Sequence, residues 1–164
     1  MYNILVAASN LVVLPLIYNH GSNLSYLMLF PMMASFFYHL GETKHSLPGI
    51  YPFNQYTEFL LEIDRLFAMI SVWFVIGIMN YHPTIITTNF LLIGFIGICS
   101  LLYSERDYLQ PILIRNQLPY RWTTINRWEF TISHIIWHII AFSCLDYSLK
   151  FLDISSDRSE NNIS

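Results

Sequence analysis

The chain has 164 residues, of which 54% are hydrophobic and 12% charged, with a net charge of −3 and a mean hydropathy of +0.44. Ordinary soluble domains carry roughly 25% charged residues, so this composition argues against a soluble globular protein. The small acidic surplus argues against a nucleic-acid partner. The composition suits an all-α integral membrane protein with one transmembrane domain over residues 1–150 and a polar tail over 151–164.

Taken in chain order, five apolar runs are long enough to cross a bilayer. They span roughly Tyr2 to Tyr18, Leu24 to Leu40, Phe59 to Met79, Thr84 to Tyr103 and Trp128 to Ser148. The first lacks a basic leading region and a small-residue cleavage site, so it is expected to be a retained helix. Pro15 and Pro31 interrupt the first two runs, which membrane helices tolerate with kinks. Cys99 and Cys144 lie inside apolar runs and are expected to pack as small hydrophobes without pairing. The connector from Ser104 to Arg127 mixes Arg106, Arg115, Arg121 and Arg127 with Tyr108, Tyr120 and Trp122. Such a segment is expected in the headgroup region.

Five polar residues interrupt this pattern: Ser35 and His39 in the second run, Asp64 in the third, and His134 and His138 in the fifth. Ser35-x-x-x-His39 and His134-x-x-x-His138 are i, i+4 pairs, so each pair shares one helix face. Each residue alone has an ordinary explanation. A serine in a membrane helix usually bonds backbone, His39 sits near a helix end, and Asp64 with Arg65 could cap a helix at the interface.

Parity of crossing strengthens the joint reading. His39 ends the second span, Asp64 begins the third, and His134 and His138 lie in the first half of the fifth, so all five belong to one side of a five-span bundle. Lys44, Arg65, Arg106, Arg115, Arg121 and Arg127 fall on that side, against Lys150 and Arg158 on the other. By the positive-inside tendency the cluster side is cytoplasmic, with the N-terminus inside and the C-terminus outside or lumenal. The sequons at Asn23 and Asn162 would face outward, one hugging the membrane and one near the end of the chain.

Three imidazoles with one open position are the usual ligand set of a catalytic zinc. Zinc acidifies bound water and polarises carbonyls; Asp64 would then serve as general base and acid, and Ser35 would steady an oxyanion or a supporting group. The substrate would arrive from the bilayer. Two other readings fit the same residues: a non-catalytic bundle tied together by zinc, and a b-type haem bundle with His39 opposite His134 or His138.

Local strings add a resemblance. Ser35-Phe36-Phe37-Tyr38-His39, Asp64 nine residues before Trp73, and Ser133-His134-Ile135-Ile136-Trp137-His138 resemble the CREST superfamily of membrane hydrolases, and most of all its myomaker/transmembrane-8 branch. That group includes alkaline ceramidases, progestin/adiponectin-type receptors and lipases that remodel GPI anchors. The resemblance implies His39, His134 and His138 as zinc ligands, with Asp64 and Ser35 beside them, and cleavage of an amide or ester bond of a membrane lipid. It covers three helices. The family fold has seven helices and this chain shows five, so a lipid cavity would be incomplete or completed by a second copy in a homo-oligomer.

Overall fold

A computed structural model describes residues 1–20, 23–45, 47–83, 86–106 and 126–161. Among the described residues the regular structure is entirely helical. The first apolar span consists of α1 (Tyr2–Ser9), a 3₁₀ turn (Asn10–Val12) and α2 (Val13–His20). A second 3₁₀ turn (Asn23–Met28) leads into α3 (Leu29–Gly41). A third (Phe53–Tyr56) leads into α4 (Thr57–Tyr81), and α5 (Thr88–Ser104) and α6 (Arg127–Asn161) follow.

The two prolines explain the first two turns. Pro15 and Pro31 each occupy the third position of an α-helix, directly after a 3₁₀ segment. A proline ring crowds the carbonyl four residues back; those carbonyls belong to Leu11 and Leu27, both inside the tighter turns. The expected kinks therefore take the form of a change of helix type.

Local chemistry also sets two helix starts. At α5 the Thr87 hydroxyl accepts from Phe90 N–H at 3.1 Å. At α6 Asn126 and Glu129 form a reciprocal capping box: Glu129 N–H donates to Asn126 Oδ1 at 2.9 Å and Asn126 N–H to Glu129 Oε2 at 3.1 Å. Glu129 also accepts from Arg106 at 2.8 Å, which fastens the end of α5 to the start of α6.

Helix α6 packs against α5, α1 and α2, while α3 packs against α1 and α4. Gly97 permits close approach of α5 and α6, since a Cβ there would meet Ile140 Cγ2 at 2.6 Å. Beside it Ser100 Oγ donates to the Ser133 carbonyl at 2.6 Å. Val13, Ile17, Met28, Met32, Phe142, Leu145 and Leu149 form the main apolar core. A smaller one contains Val6, Leu47 and Phe130.

Polar groups are inside and apolar groups outside to a degree unusual for a water-soluble chain. Asn3, Asn10, Ser35, His39, Glu42, Ser104 and both α6 histidines are buried. Leu66, Met69, Ile70 and Trp73 on α4, and Leu91, Leu92 and Phe95 on α5, are exposed. Three segments, Tyr2–Asn19, Leu24–Gly41 and Arg127–Leu152, are long and apolar enough to cross a membrane, and α5 is a shorter apolar helix. α4 has the length, but Glu58, Glu62, Asp64 and Arg65 crowd its first turns.

Candidate metal centre

The i, i+4 pairs meet. His39 on α3 and His134 and His138 on α6 are all buried, and one potential ligand atom from each lies within 4.8 Å of the others. Ring centroids are separated by 4.6 Å for His39 and His134, 5.0 Å for His39 and His138, and 4.8 Å for His134 and His138. Spacing on α6 presents two imidazoles on one face, and α3 brings the third across α1, which packs on both.

Hydrogen bonding decides which nitrogen each ring offers. Ser9 on α1 donates its only hydroxyl proton to the Val6 carbonyl at 2.6 Å, so toward His138 Nδ1, 2.7 Å away, its oxygen accepts. Ser104, at the end of α5, donates to the Leu101 carbonyl at 2.7 Å and thus accepts from His134 Nδ1 at 3.1 Å. His39 Nδ1 donates to Glu42 Oε2 at 2.7 Å. A neutral imidazole carries one N–H, so with all three protons on Nδ1 each Nε2 keeps its lone pair. His39 Nε2 is buried without a hydrogen-bond partner. These three nitrogens, oriented by partners on their far sides, fit a metal ion that takes imidazole nitrogen.

Ser35 and Asp64 stand beside them. Ser35 Oγ is 3.3 Å from His138 Nε2, and the half-buried Asp64 carboxyl interacts with the Ser35 hydroxyl. The five residues singled out in the sequence therefore gather in one place. Arg65 pairs with Glu62 at 2.9 Å on the surface.

Sequence reasoning overlooked four contributors. Glu42 is only 1% exposed, although it follows the last residue of α3. Besides His39 it accepts from Tyr38 Oη at 3.1 Å. Burial pushes its carboxyl up from 4.5 to about 7, and the neighbouring His134 and His45 only partly counter this. Asn3 donates to the backbone carbonyls of His39 and Glu42 at 2.9 and 2.7 Å, closing the end of α3. Ser9 and Ser104 supply the two hydroxyl partners. The spacing His39-x-x-Glu42 was the one visible signal, an acid one helical turn after a candidate ligand.

The wall at this end is built from His45 and Phe130, stacked at 4.2 Å between centroids, with Phe130 also 5.0 Å from His134. Glu105 lies 3.9 Å from His45 Nε2 and 4.0 Å from His134 Nδ1. Burial alone would raise the Glu105 carboxyl, but His45 and His134 outweigh it and hold the group below the usual value.

Cys99 and Cys144 are unpaired. Of the connector expected in the headgroup region, Tyr108, Arg115, Tyr120, Arg121 and Trp122 lie outside the described residues, as does the sequon residue Asn162. Comparison with family models, with curated proteins and with solved structures finds no match.

Proposed function

We propose that the chain is a multi-pass membrane protein holding one zinc ion on His39, His134 and His138, and that it hydrolyses an amide or ester bond of a membrane lipid, as the likeness to the CREST superfamily implies. The observation that carries this reading is the convergence of three buried imidazoles whose potential ligand atoms lie within 4.8 Å of one another, each with its Nδ1 against a serine or carboxylate oxygen. The apolar exteriors of α4 and α5 support a bilayer setting. The Lys and Arg asymmetry supports a cytoplasmic histidine end.

A bound zinc ion supplies Lewis acidity toward an acyl carbonyl and makes water acidic near neutral pH. The chain's own groups do the rest. Asp64 takes the proton of the attacking water on a carboxyl oxygen and returns it to the departing amine or alkoxide. Ser35, between Asp64 and His138, orients that carboxyl with its single hydroxyl proton and, once Asp64 has taken the proton of water, turns it to negative charge developing on the carbonyl oxygen. Ser9, Ser104 and Glu42 keep the imidazoles turned inward.

A second reading, a bundle in which zinc only ties helices together, is favoured by one observation: the three imidazoles join α3 to α6, with supporting hydroxyls from α1 and α5. The haem alternative loses ground, because imidazoles packed at 4.6 to 5.0 Å leave no slot for a macrocycle between two axial ligands. Purified protein assayed for zinc and, in parallel, for hydrolysis of ceramide, glycerophospholipid and GPI substrates separates the first two readings. Turnover that a chelator abolishes and zinc restores is expected. Stoichiometric zinc without turnover on any of the three would establish the tying role instead.

A further inference from the structure

The three imidazoles do not have equivalent partners. His134 and His138 lean on serine hydroxyls, whereas His39 leans on a carboxylate, Glu42. Resting on the proposed metal site, we infer that Glu42 is its principal positioning residue: it fixes the His39 tautomer, makes that imidazole the strongest donor of the three, and balances charge.

Three observations converge. The His39 Nδ1 to Glu42 Oε2 distance of 2.7 Å is that of a charge-assisted hydrogen bond. Electron density pushed from a carboxylate through an imidazole raises the basicity of the opposite nitrogen, and here that nitrogen, His39 Nε2, is buried with no other partner. Glu42 is itself held from two directions, by Tyr38 Oη on its other oxygen at 3.1 Å and by Asn3 on its backbone carbonyl at 2.7 Å. A side chain so completely engaged is oriented before any ion arrives. The charges agree as well. The Glu42 carboxylate lies against His39, Glu105 stands 4.0 Å from His134 Nδ1 and Asp64 interacts with the Ser35 hydroxyl, so acidic groups surround the place a cation would take.

The serine partners cannot do the same. Each gives its proton to a backbone carbonyl and presents only a neutral lone pair. They set ring orientation without adding charge.

The test is zinc binding to the purified full-length protein in detergent, measured by competition with a chelator, for wild type, E42Q, E42D and Y38F. E42Q keeps size and one acceptor but loses the charge; its zinc affinity is expected to fall by about 10- to 100-fold. E42D, which retains the charge, should recover part of that loss, and Y38F, which removes one hydrogen bond to Glu42 but not its charge, should lose less than E42Q. Cobalt substitution gives a readout independent of turnover: the visible spectrum of E42Q should shift, and by more than that of Y38F. Melting curves of the zinc-free proteins show whether E42Q still folds; if it does not, E42D against Y38F carries the comparison. E42Q or E42D binding zinc as tightly as wild type, with an unchanged cobalt spectrum, would overturn the role of Glu42 while leaving the metal site standing. Wild type that binds no zinc would overturn both.

Discussion

Ser9 Oγ lies 2.7 Å from His138 Nδ1 although 129 positions separate the two residues. Because the Ser9 proton is committed to the Val6 carbonyl, this contact fixes the proton of His138 on Nδ1 and frees Nε2. The first helix thus provides no ligand and still decides how a ligand on the last helix is presented. Ser9→Ala should weaken zinc binding by about tenfold, with the melting temperature of the zinc-free protein little changed. A chelator competition showing wild-type affinity would mean that His138 is oriented by packing alone.

In the proposed mechanism Asp64 acts on protons and not on the metal; its interaction is with the Ser35 hydroxyl. Asp64→Asn should therefore keep stoichiometric zinc and lose turnover by about 10² to 10⁴, the scale of a missing general base. Parallel metal analysis and lipid hydrolysis read both quantities. Loss of zinc along with turnover would reassign Asp64 as a ligand.

Glu42 makes the zinc-free protein sensitive to pH. Burial raises its carboxyl from 4.5 to about 7. An acid whose pKa is higher folded than unfolded contributes stability below the unfolded value, and that contribution is lost as pH rises through the folded value. From this group the zinc-free protein is expected to lose on the order of 3 kcal/mol at most between about pH 4.5 and 7. Melting curves across that window should show a steeper fall for wild type than for Glu42→Gln, with zinc reducing the difference. Identical slopes for the two zinc-free proteins would rule this out.

Gly41 joins the site to the loop that follows it. A Cβ there would meet the Phe53 carbonyl oxygen at 2.6 Å and its carbon at 2.8 Å, and Thr57 Oγ1 donates to the Gly41 carbonyl at 2.7 Å. Backbone cannot yield as a flexible side chain does, so Gly41→Ala should cost about 1 to 3 kcal/mol and disturb the neighbouring Glu42. Gly94 has nothing within 4 Å of its Cβ position; Gly94→Ala is the control and should be neutral or slightly stabilising. Equal melting temperatures for the two variants would contradict the close approach.

The histidine cluster was legible in the sequence because its grammar is local. Two i, i+4 pairs define helix faces, and counting crossings puts Ser35, His39, Asp64, His134 and His138 at one end without knowledge of packing. Helix limits were legible for a similar reason: α3 ends at Gly41 and α4 ends at Tyr81, close to where the apolar runs stop. The supporting shell was not. Ser9 and Ser104 look like ordinary small residues of apolar helices, and only the adjacency and rotation of α1 and α5 against α6 turn them toward imidazole nitrogens. Glu42 reads as an interfacial acid after a span, because nothing local announces that Asn3 and Tyr38 enclose it. Glu58 and Glu62, the acids left unexplained by sequence, are exposed on α4, and Glu62 simply pairs with Arg65.

The central claim is that His39, His134 and His138 bind one zinc through Nε2. X-ray absorption at the zinc edge of the purified protein tests it most directly, with His134→Ala beside wild type. The expected result is one zinc per chain with three imidazole nitrogens at about 2.0 to 2.1 Å, and loss of that zinc in His134→Ala. A wild-type spectrum dominated by oxygen or sulfur scatterers, or full zinc occupancy in His134→Ala, would contradict it.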